Sequence, residues 1–153
     1  KILRIAYERS PEDPNGHLLL GKLFLKQKKY LWAKDAFHSV LKLNFNSFDA
    51  NLELGKIEFT QNDFEQAEKH LRKAFEIHNN NVDCRYWLGR VFLEQGRYAW
   101  AIRAFETAIK INGYPTLEIQ EFLAEAQYLN GDVKSAKLSY QVLANHFLSS
   151  LSL

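Results

Sequence analysis

Residues 20–37 read Leu20-Gly21-Lys22-Leu23-Phe24-Leu25-Lys26-Gln27-Lys28-Lys29-Tyr30-Leu31-Trp32-Ala33-Lys34-Asp35-Ala36-Phe37. Apolar residues recur here at i, i+3, i+4 and i+7, the spacing of one helix face. The polar run Gln27-Lys28-Lys29 interrupts them, so the stretch reads as two helices joined by a short turn. The same arrangement returns along the chain. Leu54-Gly55-Lys56 and Leu88-Gly89-Arg90 repeat Leu20-Gly21-Lys22 at a spacing of 34 residues, and Leu123-Ala124-Glu125 follows after 35.

Downstream of each pair comes a second signal. Tyr30 with Ala33, Phe64 with Ala67, Tyr98 with Ala101 and Val133 with Ala136 keep the same register. Four residues after each alanine stands Phe37, Leu71, Phe105 or Tyr140, and three further on Val40, Ala74, Ala108 or Leu143. Small residues let two helix backbones approach, and larger ones fill the grooves beside them. Gln61-Asn62-Asp63, Gln95-Gly96-Arg97 and Asn130-Gly131-Asp132 are the other internal turns. Phe45-Asn46-Ser47, Asn79-Asn80-Asn81 and Gly113-Tyr114-Pro115 separate the units. Asp13 before Pro14, then Ser47, Asn81 and Thr116, stand where helix N-caps are expected.

Composition agrees. The 153 residues are 46% hydrophobic and 25% charged, with only seven Gly and three Pro, too few for a turn-rich β protein. A net charge of +2 gives no footprint for nucleic acid. Cys84 is the one cysteine, so no internal disulfide forms, and the compartment stays open between the cytoplasm, slightly favoured, and the periplasm. No apolar run is long enough to span a bilayer, and direct membrane insertion is not expected.

Catalytic constellations are missing. His17, His38, His70, His78 and His146 show no metal-ligand spacing, and Cys84 has no cysteine partner. There is no phosphate-binding glycine loop, nucleophile elbow or dinucleotide fingerprint. The segment is not expected to be an enzyme, and no cofactor or metal is expected. Asp63, Glu65 and Glu68 lie near a helix start, where the helix dipole favours them. Trp32, Trp87 and Trp100 are expected to pack between neighbouring helices.

The Leu-Gly pair of the first helix, joined to Ala-x-x-x-Phe in the second on a 34-residue period, resembles the tetratricopeptide repeat (TPR) family. The tryptophan usual three residues before the leucine is replaced by His17, Asn51, Arg85 and Gln120, and Glu58 and Gln127 stand at aromatic positions. The resemblance implies an all-α fold, a right-handed α-solenoid of stacked helix-turn-helix hairpins. It implies one domain over residues 1–153, part of a longer array. Residues 1–13, with Leu3, Ala6 and Pro11, match the second helix of a preceding unit. The repeats then run 14–47, 48–81, 82–116 and 117–153, the last including an apolar tail.

In this family the first helices line a concave inner face. The resemblance therefore implies a partner-binding groove of Leu18, Lys22 and Leu25, then Leu52, Lys56 and Phe59, then Tyr86, Arg90 and Leu93. It ends on Glu121, Glu125 and Tyr128, with Glu118 nearby. Three cations among apolar residues suit a protein or peptide with apolar anchors and acidic groups. Leu18 and Lys22 stand where chaperone-tail-binding relatives carry lysine and asparagine, so that clamp is not expected. The expected function is a non-catalytic protein–protein interaction scaffold that assembles a multiprotein complex. The competing readings are a self-associating module stacking through its apolar ends, and the regulatory arm of an enzyme whose catalytic domain lies outside this segment.

Overall fold

The computed structural model describes residues 12–151. Among them are eight α-helices and no strand. They run α1 Pro14–Lys26, α2 Tyr30–Leu43, α3 Phe48–Thr60, α4 Phe64–Ile77, α5 Val82–Glu94, α6 Tyr98–Asn112, α7 Leu117–Leu129 and α8 Val133–Leu151. Consecutive helices pair as four hairpins. The chain divides between Asn79 and Asn80 into two compact units of two hairpins each. The segment matched to an earlier second helix, including Leu3, Ala6 and Pro11, falls almost wholly outside the described residues.

Six of the eight described helix starts are set by side chains that accept the first unsatisfied backbone N–H groups; Lys29 before α2 and Arg97 before α6 give none. Asp13 accepts from the amides of Asn15 at 3.0 Å and Gly16 at 3.1 Å. Ser47 accepts from Ala50, Asn81 from Cys84 and Thr116 from Ile119, at 3.3, 2.9 and 3.3 Å. Asp63 and Asp132 do the same inside hairpins two and four.

The four turns share one construction. The amide of Lys29 donates to the Phe24 carbonyl at 2.9 Å and that of Lys28 to Leu25 at 2.9 Å. These bonds close the end of α1 through a residue with positive φ. That residue recurs at one register: Lys28 (56°), Asn62 (60°), Gly96 (71°) and Gly131 (85°). Glycine takes this conformation without strain, which explains its presence at 96 and 131.

In the first unit α2 packs on α1 and on α3. Ala33, Phe37 and Val40 of α2 meet Ala50, Leu54 and Ile57 of α3 in one core, flanked by Leu18, Phe24, Leu25 and Leu41. Leu54 is wholly buried, and truncating such a leucine to alanine costs about 2–5 kcal/mol. The second unit repeats the plan: α6 packs on α5 and on α7, with Phe105 stacked on Phe122 at 6.2 Å and 24°.

The tryptophans depart from expectation. Trp32 and Trp100 remain 62% and 53% exposed. Each rests one face on a phenylalanine of its own hairpin, Phe24 at 5.8 Å and Phe92 at 6.1 Å. Both lie in the first turn of a second helix, beside the hairpin turn. Trp87 is half-buried.

Candidate interaction faces

The twelve residues expected to line a groove divide evenly between the two units. In the first unit, α1 carries Leu18 and Leu25, both half-buried, and Lys22, exposed. On α3, Lys56 and Phe59 are half-buried, while Leu52 is buried at 6% exposure. Neither lysine is a bare cation. Lys22 Nζ donates to Asp49 Oδ1 at 3.3 Å, with the two side chains 45% and 52% exposed. Lys56 Nζ donates to Glu53 Oε1 one turn earlier at 3.2 Å.

In the second unit Tyr86 and Leu93 of α5 are buried, each 7% exposed, and Arg90 is half-buried. A tighter arrangement forms here. The Tyr86 hydroxyl donates to Glu118 Oε1 at 2.5 Å and accepts from an Arg90 guanidinium N–H at 2.9 Å. The guanidinium lies 3.9 Å above the centre of the Phe122 ring, a cation–π contact. Burial, reinforced by the bond to Glu118 and opposed by Arg90, pushes the Tyr86 phenol up to about 12. The structure thus ties α5 to α7 through Tyr86, Arg90, Glu118 and Phe122. Glu121, Glu125 and Tyr128 share the exposed face of α7, with Tyr128 61% exposed.

A second polar cluster sits in the first unit. Glu58 is 2% exposed, in the third turn of α3. One carboxylate oxygen lies 2.7 Å from His70 Nδ1 on α4, the other 3.6 Å from Lys34 Nζ on α2. Lys34 also donates to Gln61 at 3.4 Å. The His38 ring stands 5.9 Å from that of His70. Burial, then the neighbouring His70, holds His38 below the ordinary histidine value of 6.5.

Sequence reasoning overlooked this cluster although a signal was present. In the repeat register Glu58 and His70 correspond to Phe24 and Ala36, to Phe92 and Ala104, and to Gln127 and Ser139. The two partners sit together in hairpins two and four, where Ser139 Oγ donates to Gln127 Oε1 at 2.8 Å. An aromatic ring faces alanine in odd hairpins, and a polar side chain faces a polar one in even hairpins. The pairing of Lys22 with Asp49, 27 residues on, was also missed.

Cys84 is buried on α5. Among the described residues no group of three His, Cys, Asp or Glu side chains could hold a metal ion. No described helix is long and apolar enough to cross a membrane.

Comparison with known proteins adds the following. One tetratricopeptide repeat family model matches residues 58–113, and another matches residues 18–82 and 86–145. A search of curated protein sequences found no match. Among solved structures, a crystal structure of MamA aligns with a TM-score of 0.84 at 22% identity, over 91% of this chain and 75% of that one. MamA from Desulfovibrio magneticus RS-1 aligns with a TM-score of 0.89 at 19% identity, over 96% and 82%. YrrB, described as a TPR protein with an unusual peptide-binding site, aligns with a TM-score of 0.85 at 17% identity, over 95% and 74%. At such identities these likenesses concern the fold. The two family models together span most of the sequence, and the chain belongs to the tetratricopeptide repeat family.

Proposed function

We propose that this chain is a non-catalytic scaffold that holds an extended or helical protein segment against its first helices and so helps assemble a multiprotein complex. The observation that carries the reading is the state of Lys22 and Lys56. Both reach solvent among half-buried apolar residues, Leu18 and Leu25 on α1 and Phe59 on α3. Glu53 holds Lys56 through a half-buried ion pair within α3, and Asp49 holds Lys22 through an exposed one, which contributes about 0–1 kcal/mol. An acidic partner group can replace such a carboxylate at little cost, while apolar anchors cover the leucines and phenylalanine. The peptide-binding site ascribed to YrrB, a protein of like fold, supports a peptide as the partner class. In the second unit the exposed Glu121, Glu125 and Tyr128 present the opposite charge and suit a basic group.

Peptides selected by display against the native chain, then measured by fluorescence anisotropy, test this. Acidic peptides with apolar anchors should be enriched, and Lys22→Glu with Lys56→Glu should weaken their binding at least tenfold while circular dichroism stays unchanged. Equal binding by the folded double variant rules out the first-helix face of the first unit.

A further inference from the structure

The tips of the four described hairpins share one register but carry different charges. That of hairpin one reads Lys26-Gln27-Lys28-Lys29-Tyr30-Leu31-Trp32. From Pro14 to Lys34 the chain has lysine at 22, 26, 28, 29 and 34 and no Asp or Glu. The tip of hairpin two carries Asp63 and Glu65, that of hairpin three Glu94 beside Arg97, and that of hairpin four Asp132 beside Lys134. Of the four, the first alone is purely basic.

Lys26, Lys28 and Lys29 are all exposed. None of the three forms a side-chain hydrogen bond or ion pair among the described residues, unlike Lys22 and Lys34. Directly after them Tyr30, Leu31 and Trp32 open α2 at 39%, 73% and 62% exposure. The Lys28 and Lys29 amides bond to the carbonyls of Leu25 and Phe24, so these side chains project from a closed turn.

This exposure belongs to a hairpin tip and not to the place of hairpin one in the chain. Hairpins two and four each have another hairpin packed before them, α2 on α3 and α6 on α7. Thr60, Asn62, Asp63 and Glu65, at the register of Lys26, Lys28, Lys29 and Leu31, are exposed all the same. So are Leu129, Gly131, Asp132 and Lys134 in hairpin four. The register of Trp32 stays half-buried there, at Gln66 and Ser135. A preceding hairpin thus leaves the three lysines and Leu31 in solvent.

An apolar patch ringed by charge marks a binding surface. Anchors for a protein partner sit in pockets near the centre of an interface, whereas these residues stand at the end of a hairpin. Nucleic acid would engage the lysines but leave Leu31 without a role. In a bilayer, tryptophan and tyrosine settle at headgroup level, leucine at the acyl boundary and lysine on anionic headgroups. All of these stand together here.

We infer that the tip of hairpin one docks on an anionic lipid surface, with Lys26, Lys28 and Lys29 on the headgroups and Tyr30, Leu31 and Trp32 at the headgroup–acyl boundary. The contact is peripheral, since no described helix is long and apolar enough to cross the bilayer. It uses none of the residues of the scaffold reading and stands independently of it.

Sedimentation with vesicles tests the inference. Vesicles of about two parts phosphatidylcholine to one part phosphatidylserine should carry the native chain down, and phosphatidylcholine alone should not. Lys26→Gln with Lys28→Gln and Lys29→Gln should weaken partitioning about tenfold or more. All three positions are exposed, so the fold should persist, as circular dichroism would verify; Lys26→Gln with Lys29→Gln, which spares the turn residue Lys28, is the replacement should the triple variant unfold. Lipids brominated on their acyl chains should quench the tryptophan emission of the native chain, and Trp32→Phe should still bind while losing most of that quenching. A native chain that stays in the supernatant with the anionic vesicles overturns the inference. So does equal binding by the folded lysine variant, and so does quenching that survives Trp32→Phe, which would place the contact elsewhere. A native chain that binds duplex DNA through these lysines and ignores the vesicles would assign the tip to nucleic acid and overturn it as well.

Discussion

A methyl group on Gly21 would stand 2.5 Å from Cε1 of Phe37 and 2.7 Å from its Cζ. The ring of α2 is seated directly on the backbone of α1, in the space a side chain would fill. Gly55 stands in the same relation to Leu71 at 2.5 Å, and Gly89 to Phe105 at 2.6 Å. In the fourth hairpin the methyl is present, on Ala124, and the corresponding ring, Tyr140, is 46% exposed. The Leu-Gly signature thus records how closely the two helices of a hairpin approach.

Gly21→Ala should therefore destabilise the chain although alanine is the better helix former. Overpacking a filled core costs about 1–3 kcal/mol, against a propensity gain of at most about 1 kcal/mol. Urea unfolding reads the balance as a lower midpoint at unchanged slope. A midpoint at or above the native value would show that Phe37 shifts aside freely.

Glu58 and His70 should behave as one unit. His70→Ala leaves a buried carboxylate without its 2.7 Å partner, at a cost of about 1–3 kcal/mol. Glu58→Phe alone drives a ring into the imidazole. Together they copy the pairs Phe24 with Ala36 and Phe92 with Ala104, so the double variant should be more stable than either single one. A double-mutant cycle by urea unfolding measures the coupling; simply additive losses would defeat the prediction.

Acid should weaken the first unit through His38. Its folded-state value lies below the ordinary 6.5, chiefly from burial and then from His70. Lys34 acts in the same direction, while Glu58 and Asp35 oppose them. A lowered histidine binds its proton less readily in the folded chain than in the unfolded one. The stability that follows is complete above pH 6.5 and is lost as pH falls from there through the folded value. Melting temperatures measured from neutral to mildly acidic pH should fall, and His38→Gln should flatten that fall. A slope unchanged by His38→Gln would place the acid sensitivity elsewhere.

Much was legible in the residues alone. The spacing from Leu20 to Leu54 to Leu88 announces a repeated hairpin, because burying a helix face needs a fixed period. Ser47, Asn81 and Thr116 mark helix starts, because capping is a contact between residues two or three apart. Both are local, and local geometry follows from sequence order.

What each side chain meets across a helix contact was not legible. Lys22, Lys56 and Arg90 look alike in the repeat, yet Lys22 holds the exposed Asp49, Lys56 the half-buried Glu53 of its own helix, and Arg90 lies on Phe122 under a bond to Tyr86. Glu58 reads as a missing aromatic until His70 and Lys34 are seen around it. The repeat by itself determined which helices form and which faces they bury, since periodicity alone fixes those. Only the tertiary structure decided that Lys22 meets Asp49, that Glu58 meets His70 and Lys34, and that Arg90 lies on Phe122, since these groups stand a dozen or more residues apart and packing brings them within a few ångströms.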